Sequence, residues 1–246
     1  TGTVKIRDWY SDGNRSTVGG LRTVGGNLIF RGNGMDWWKS DGTIDGTVLL
    51  KAKGSDWIGG GSTAVLNGSL YFLTSVVGNR GELWRSDGTA AGATLVTGID
   101  AYGSGGLMAS GESLFFTTYG NNQAIQLWKS DGTSNGTVPV TSIIPGTMNY
   151  GVAPMASLNG TLFLTGGDAA HGTELWKSDG TAAGTVMVKD INPGPDASLL
   201  NSPFPVTSNG TMFFVAYDSV HGTELWKTDG TAEGTLLVKD VNPSPY

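Results

Sequence analysis

Two copies of Asp-x-x-His-Gly-Thr-Glu set an imidazole three residues after a carboxylate, at Asp168/His171 and at Asp218/His221. Such a pair is the orienting half of a hydrolytic triad, or two ligands of a metal. No serine nucleophile motif accompanies it, and three of the five repeats described below lack the histidine. A histidine capping a hairpin loop accounts for both copies with less. A second candidate set is Asp41, Asp87, Asp131, Asp179 and Asp229, each opening an Asp-Gly-Thr triplet. Calcium loops use several oxygen ligands, with carboxylates at alternate positions. Each triplet here supplies one carboxylate and no second at the right offset. We therefore read these aspartates as structural turn residues, accepting hydrogen bonds from the following N–H groups with the threonine hydroxyl assisting. No metal and no cofactor is expected.

The third set lies in connections that differ from copy to copy. Asp8, Trp9 and Tyr10 stand with Asp12 and Asn14 in the first connection, Asp56-Trp57 in the second, Asp100-Ala101-Tyr102 in the third and Asn149-Tyr150 in the fourth. An aromatic ring beside Asp or Asn on a glycine-rich loop can stack on a sugar face while accepting its hydroxyl protons, and function concentrates on loops held by a rigid scaffold. The competing account is that these rings plug gaps between packed sheets. The last full connection, Pro193-Gly194-Pro195-Asp196, has no aromatic.

The elements that must position these residues repeat along the chain. Glu174 to Thr181 returns at Glu224 to Thr231, with looser copies at Glu82 to Thr89, Gln126 to Thr133 and Asp36 to Thr43. The anchoring tryptophans Trp38, Trp84, Trp128, Trp176 and Trp226 are spaced by 46, 44, 48 and 50 residues. A period in that range marks a repeat architecture. Each period reads as a hairpin turning at Asn-Gly (Asn67-Gly68, Asn159-Gly160, Asn209-Gly210; Gly25-Gly26 and Gly111-Glu112 as variants), a tryptophan strand, the Asp-Gly-Thr turn and a fourth strand. Asn-Gly between β-prone runs suits a type I′ turn, whose two central residues need positive φ.

Strands such as Leu162-Phe163-Leu164 and Leu114-Phe115-Phe116 carry large apolar groups on both faces. Four-stranded sheets buried on both faces are what radially stacked blades require. The expectation is an all-β, five-bladed β-propeller of four-stranded antiparallel blades with room for an extra terminal strand, in one repeat domain spanning 1–246. The units run over 2–45, 46–91, 92–135, 136–183 and 184–233, followed by a terminal strand at 234–246. The tryptophans then belong to the structural core rather than serving as sugar platforms. Lys39, Arg85, Lys129, Lys177 and Lys227 sit near the blade rim beside Asp or Glu. The fourth-strand pattern occurs six times, from Gly2, Gly46, Gly92, Gly136, Gly184 and Gly234. Either Thr3 to Arg7 or Thr235 to Lys239 can complete the last blade, and the other is spare.

Bulk properties narrow the function. Of 246 residues, 15 are basic and 21 acidic, for a net charge of −6, so the basic stripe of a nucleic-acid binder is missing. No apolar run reaches membrane-spanning length. With no cysteine, thiolate metal sites and cysteine nucleophiles are excluded. The chain shows no signal peptide and opens mid-repeat, as an excised or processed piece would.

Glu-Leu-Trp-x-x-Asp-Gly-Thr followed by Gly-Thr-x-x-Val-Lys-Asp-Ile-Asn-Pro-Gly resembles the bacterial ELWxxDGT repeat family of large extracellular proteins. The fourth copy matches from Glu174 through Gly194 and the fifth from Glu224 through Pro243, while the first departs most (Met35-Asp36-Trp37-Trp38) and the third has Gln126 for Glu. The resemblance implies an extracellular or cell-surface location and carries no activity or site residue with it. The function expected is a non-catalytic, multivalent glycan-binding or adhesion module, with glycans or cell-surface polysaccharide as partners. The alternatives are a self-associating surface scaffold using the spare edge strand and, third, a five-bladed glycosidase-like enzyme.

Overall fold

The computed structural model describes residues 18–32, 36–51, 57–59, 62–76, 80–89, 93–100, 102–119, 125–144, 153–199, 205–241 and 243. They form five antiparallel sheets in chain order, the blades of a β-propeller. Blade 1 holds β1 (Gly19–Val24), β2 (Asn27–Gly32), β3 (Asp36–Ser40) and β4 (Val48–Lys51). Blade 2 holds β5 (Trp57–Gly59), β6 (Thr63–Leu66), β7 (Ser69–Val76), β8 (Arg80–Ser86) and β9 (Ala93–Ile99). Blade 3 holds β10 (Tyr102–Ser110), β11 (Ser113–Tyr119), β12 (Ile125–Ser130) and β13 (Val138–Ile144). Blade 4 holds β14 (Pro154–Leu158), β15 (Thr161–Asp168), β16 (Gly172–Ser178) and β17 (Val186–Lys189). Blade 5 holds β18 (Val206–Ser208), β19 (Thr211–Asp218), β20 (Gly222–Thr228) and β21 (Leu236–Lys239).

Blade 2 has a fifth strand because its first strand is split, with β5 and β6 both pairing β7. β21 completes blade 5 by pairing β20. Thr3 to Arg7, the rival strand for that place, lies outside the described residues. Each sheet is built from one continuous stretch of chain, so the repeat boundaries at 46, 92, 136, 184 and 234 fall between the third and fourth strands of a blade.

Local sequence explains the hairpins. Asn67, Asn159 and Asn209 have φ near +50° and the glycines after them have φ of 70°, 79° and 73°. That is the type I′ geometry, whose twist matches the strands it joins. The blade faces then follow from strand alternation. On one face stand Leu162, Leu164 and Trp176 of blade 4 and their counterparts, such as Met212, Phe214 and Trp226 of blade 5. On the other stand Phe163, Leu175 and Val188 and their counterparts. The second face of each of blades 1 to 4 packs on the first face of the next. Four apolar cores result, between blades 1 and 2, 2 and 3, 3 and 4, and 4 and 5. The innermost strands β1, β6, β10, β14 and β18 pack in that order along the axis. Among the described residues no apolar core joins blade 5 to blade 1.

Trp84, Trp128, Trp176 and Trp226 lie in these cores, while Trp38 is buried on the face of blade 1 that none of the four includes. Trp84 stacks on Phe72 (6.3 Å, 9°) and Trp128 on Phe116 (6.0 Å, 6°). The Trp128 indole donates to Thr118 (2.8 Å) and that of Trp84 to Glu82 (2.9 Å). Gly166 and Ala216 replace the threonine in blades 4 and 5, and the buried indole nitrogens of Trp176 and Trp226 have no acceptor.

Candidate functional site

The Asp-Gly-Thr turns form one end of every blade. In each, the aspartate Oδ1 accepts the N–H and the hydroxyl of the threonine two residues on, for Asp179 at 2.8 and 2.7 Å. Asp41, Asp87, Asp131 and Asp229 do the same. These bonds hold all five carboxylates below their ordinary pKa. The residue before each aspartate adds a second tie: Ser178 Oγ accepts the Gly180 N–H (3.1 Å) and shares a hydrogen bond with Thr185 (2.8 Å). The carboxylate is thus consumed by its own turn. Among the described residues no group of three His, Asp or Glu side chains is placed to hold a metal.

Between blades 4 and 5, at this same end, lies a cleft of about 230 Å³ lined by Asn159, Thr161, Phe163, Lys177, Asp229 and Thr231 among others. Strand register explains why they meet. Phe163 and Lys177 are directly paired across β15 and β16, close to the Asn159-Gly160 turn. Asp229 and Thr231 come from the turn of the neighbouring blade. The Lys177 ammonium donates to the Gly230 carbonyl (2.8 Å) and helps keep the Asp229 carboxylate ionised, after the larger effect of Thr231. The rim lysine therefore bridges to the next blade's turn.

Equivalent positions at two other interfaces are filled. The Tyr71 hydroxyl occupies the space beside Gly132, and the Lys129 side chain lies across Gly180. Phe163 has no hydroxyl to fill the space, and its ring edge stays 3.1 Å from where a side chain on Gly230 would begin. Near-identical repeats thus fill this position differently. The sequence reading placed Asn159, Lys177 and Asp229 in turn and rim roles and did not see them converge. The available signal was that the Asn-Gly and Asp-Gly-Thr turns must share one end of a four-stranded blade.

The aromatic connections belong to the opposite end. Trp57 opens β5 opposite Val76, and Tyr102 opens β10 opposite Tyr119. Asp100 is exposed just after β9. Asp8, Trp9, Tyr10, Asp56, Asn149 and Tyr150 lie outside the described residues. Trp57 and Tyr102 open strands of successive blades.

At this end Asp168 and Asp218 fold their loops. Asp168 accepts the N–H groups of Ala170 (2.8 Å) and His171 (2.9 Å), and His171 Nδ1 closes on it at 2.8 Å. Asp218 treats Val220 and His221 alike, with His221 Nδ1 at 2.9 Å. The hydrogen bond to aspartate raises each histidine above its ordinary pKa. Asp168 is lowered chiefly by His171; for Asp218 burial pulls upward, and the bonds from His221 and Val220 together outweigh it and lower the carboxyl. Each pair ties its own loop, which is a hairpin cap.

Glu174 is the most deeply buried titratable group of this end among the described residues. Its Oε2 accepts the Ile191 N–H (2.9 Å) and the Ser198 hydroxyl (2.6 Å), and its Oε1 is buried without a partner. Ser198 also donates its N–H to Thr173 O (3.0 Å) and accepts the Tyr217 N–H (2.9 Å). The connection from β17 to β18 is therefore a latch between blades 4 and 5, and its Ile191 and Leu199 enter their shared core. Burial pushes the Glu174 carboxyl up from 4.5 to about 7, against the bonds from Ser198 and Ile191 and with Asp190 adding repulsion. The folded chain then keeps a proton that the unfolded chain gives up. Stability is highest below pH 4.5 as far as Glu174 is concerned, and falls as pH rises toward about 7. In urea titrations across that window, Glu174→Gln is expected to flatten the decline; an unchanged slope would show that Glu174 is ionised throughout.

No family model matches the chain, and no curated protein sequence matches it. Similar solved structures do exist. An oligogalacturonate lyase in complex with manganese superimposes with a TM-score of 0.62 at 12% identity, over 92% of this chain and 66% of that one. TolB from Acinetobacter baumannii gives 0.51 at 15% identity, over 85% of this chain and 50% of its own. The SapL1 lectin in complex with alpha methyl fucoside gives 0.53 at 14% identity, over 87% and 77%. The chain spans about half the length of TolB and about two thirds of the lyase. At these identities the likeness concerns the fold, which is that of the propellers.

Proposed function

We propose that this chain is a non-catalytic binding module for glycans, acting in adhesion at a bacterial cell surface, with the cleft between blades 4 and 5 as its sugar site. The observation that carries this reading is the cleft itself. At about 230 Å³ it is smaller than the roughly 300–1,000 Å³ of pockets that bury drug-sized ligands, which suits one sugar ring. Its walls offer an amide at Asn159, a hydroxyl at Thr161 and an ammonium at Lys177, with the ring edge of the otherwise buried Phe163 at the base. That mixture matches a ring with one apolar face and several hydroxyls. The ELWxxDGT resemblance supports the surface location. The cleft's carboxylate, Asp229, is held by Thr231, whereas glycoside hydrolysis uses two carboxyl groups facing each other across the bond.

Calorimetry against simple neutral and acidic sugars tests the reading. Millimolar binding is expected for at least one, weakened tenfold or more by Asn159→Ala and by Lys177→Ala, with unchanged near-ultraviolet circular dichroism. Absence of binding by a folded chain at millimolar sugar removes it. If binding survives both substitutions but falls on Trp57→Ala or Tyr102→Ala, the sugar sits instead at the aromatic connections.

A scaffold role is the second reading. β21 is the outer strand of blade 5, and an open strand edge can pair with another chain. Edge pairing predicts that proline at Val238, which removes one backbone donor, reduces concentration-dependent scattering.

A further inference from the structure

Blade 5 differs from its neighbours in one respect that its sequence does not announce. Phe213, Leu225 and Val238 occupy the register that Phe163, Leu175 and Val188 occupy in blade 4. Leu83, Leu127 and Leu175 are each 0% exposed, whereas Leu225 is 41% exposed. Val188 is 7% exposed and Val238 44%. Phe163 is buried and Phe213 only half-buried. The difference lies in what stands opposite. Blade 4 is covered by Met212, Phe214 and Trp226 of blade 5, and among the described residues no sheet covers blade 5.

We propose that this outer face of blade 5 is a self-association surface, on which a second copy of the chain docks its own blade-5 face to form a two-fold dimer. Continuity with the established interfaces argues that the occupant is a sheet, because the same residues in the same register meet a sheet face wherever they are buried. The choice of face follows by elimination. The tryptophan-bearing faces that normally cover this register are spent in every blade: Phe30, Phe72, Phe116, Leu164 and Phe214 are all buried. Among the described residues, the apolar sheet face a second copy still has to offer is that of blade 5. A face that meets its own copy gives an isologous, closed pair, the commonest form of soluble oligomer. Lys227 pairs with Phe213 and Lys239 with Leu225, and both lysines are exposed.

Sedimentation equilibrium of the whole chain, from micromolar to near-millimolar concentration, tests this. The expected mass rises to twice 25.5 kDa and no further. Leu225→Lys is expected to raise the dimer dissociation constant tenfold or more while leaving the thermal midpoint of the dilute chain unchanged. Val238→Glu should do the same, and serves if the lysine variant does not fold. A chain that stays monomeric throughout overturns the proposal. So does a dimer that both folded variants preserve, or a mass that climbs past two copies, which would signal an open-ended contact through a different face. Sugar binding is read separately, so failure of either idea leaves the other standing.

Discussion

Alanine at Leu175 is expected to cost about 3 kcal/mol of folding stability, and alanine at Leu225 less than about 0.5 kcal/mol. The two leucines sit in the same tetrapeptide, Glu-Leu-Trp-Lys, on equivalent strands, paired with Thr165 and Val215 respectively. Propensity and strand position are therefore equal, and burial alone separates them, at 0% against 41% exposure. Truncating Leu175 removes its transfer free energy and leaves a cavity among Phe163, Phe214 and Trp226, which are close-packed around it. Truncating Leu225 removes groups that already meet water. Urea denaturation of both variants, at concentrations too low for association, gives the comparison. Equal losses would mean that the blade-5 face is covered within a single chain, which would end the dimer proposal as well.

This comparison marks what the sequence could reveal. The strands, the Asn-Gly hairpins, the Asp-Gly-Thr turns and the inward tryptophans are encoded within a few residues of each other, and each was legible. The inequality of blade 5 was not, because its letters match blade 4 and the cause lies in a neighbour. The latch at Glu174 was equally hidden. Ser198 lies 24 residues further along the chain, and no local pattern marks it as the partner of a buried carboxylate. The cleft depended on a smaller matter still, a tyrosine hydroxyl in one blade that a phenylalanine lacks in another. Such a difference acquires meaning only once the next blade's turn is in place beside it. The aspartate-histidine pairs, which the sequence already suggests as hairpin caps, are bonded within their own loops.

Gly184→Ala is expected to destabilise the chain by about 1–3 kcal/mol, the usual range for overpacking. Backbone strain is not the reason. Gly180, two residues into the turn at φ +88°, needs a glycine conformation, but Gly184 does not adopt positive φ. The obstacle is a side chain. A methyl group at Gly184 would fall on the Asp179 carboxylate, and the same holds at Gly46, Gly136 and Gly234 against Asp41, Asp131 and Asp229. To admit it, Asp179 must swing away from the N–H and hydroxyl of Thr181, and the Thr181 hydroxyl must also give up the Gly184 N–H it accepts at 2.9 Å. The second glycine of the motif is thus a companion of its aspartate. If that is right the two positions are coupled, and a double-mutant cycle exposes it. Asp179→Ala alone should lower the thermal midpoint by loosening the turn. On that background Gly184→Ala should cost little, because the carboxylate it would strike is gone. Strictly additive losses would show that the glycine is required for another reason and that the turn tolerates a displaced carboxylate.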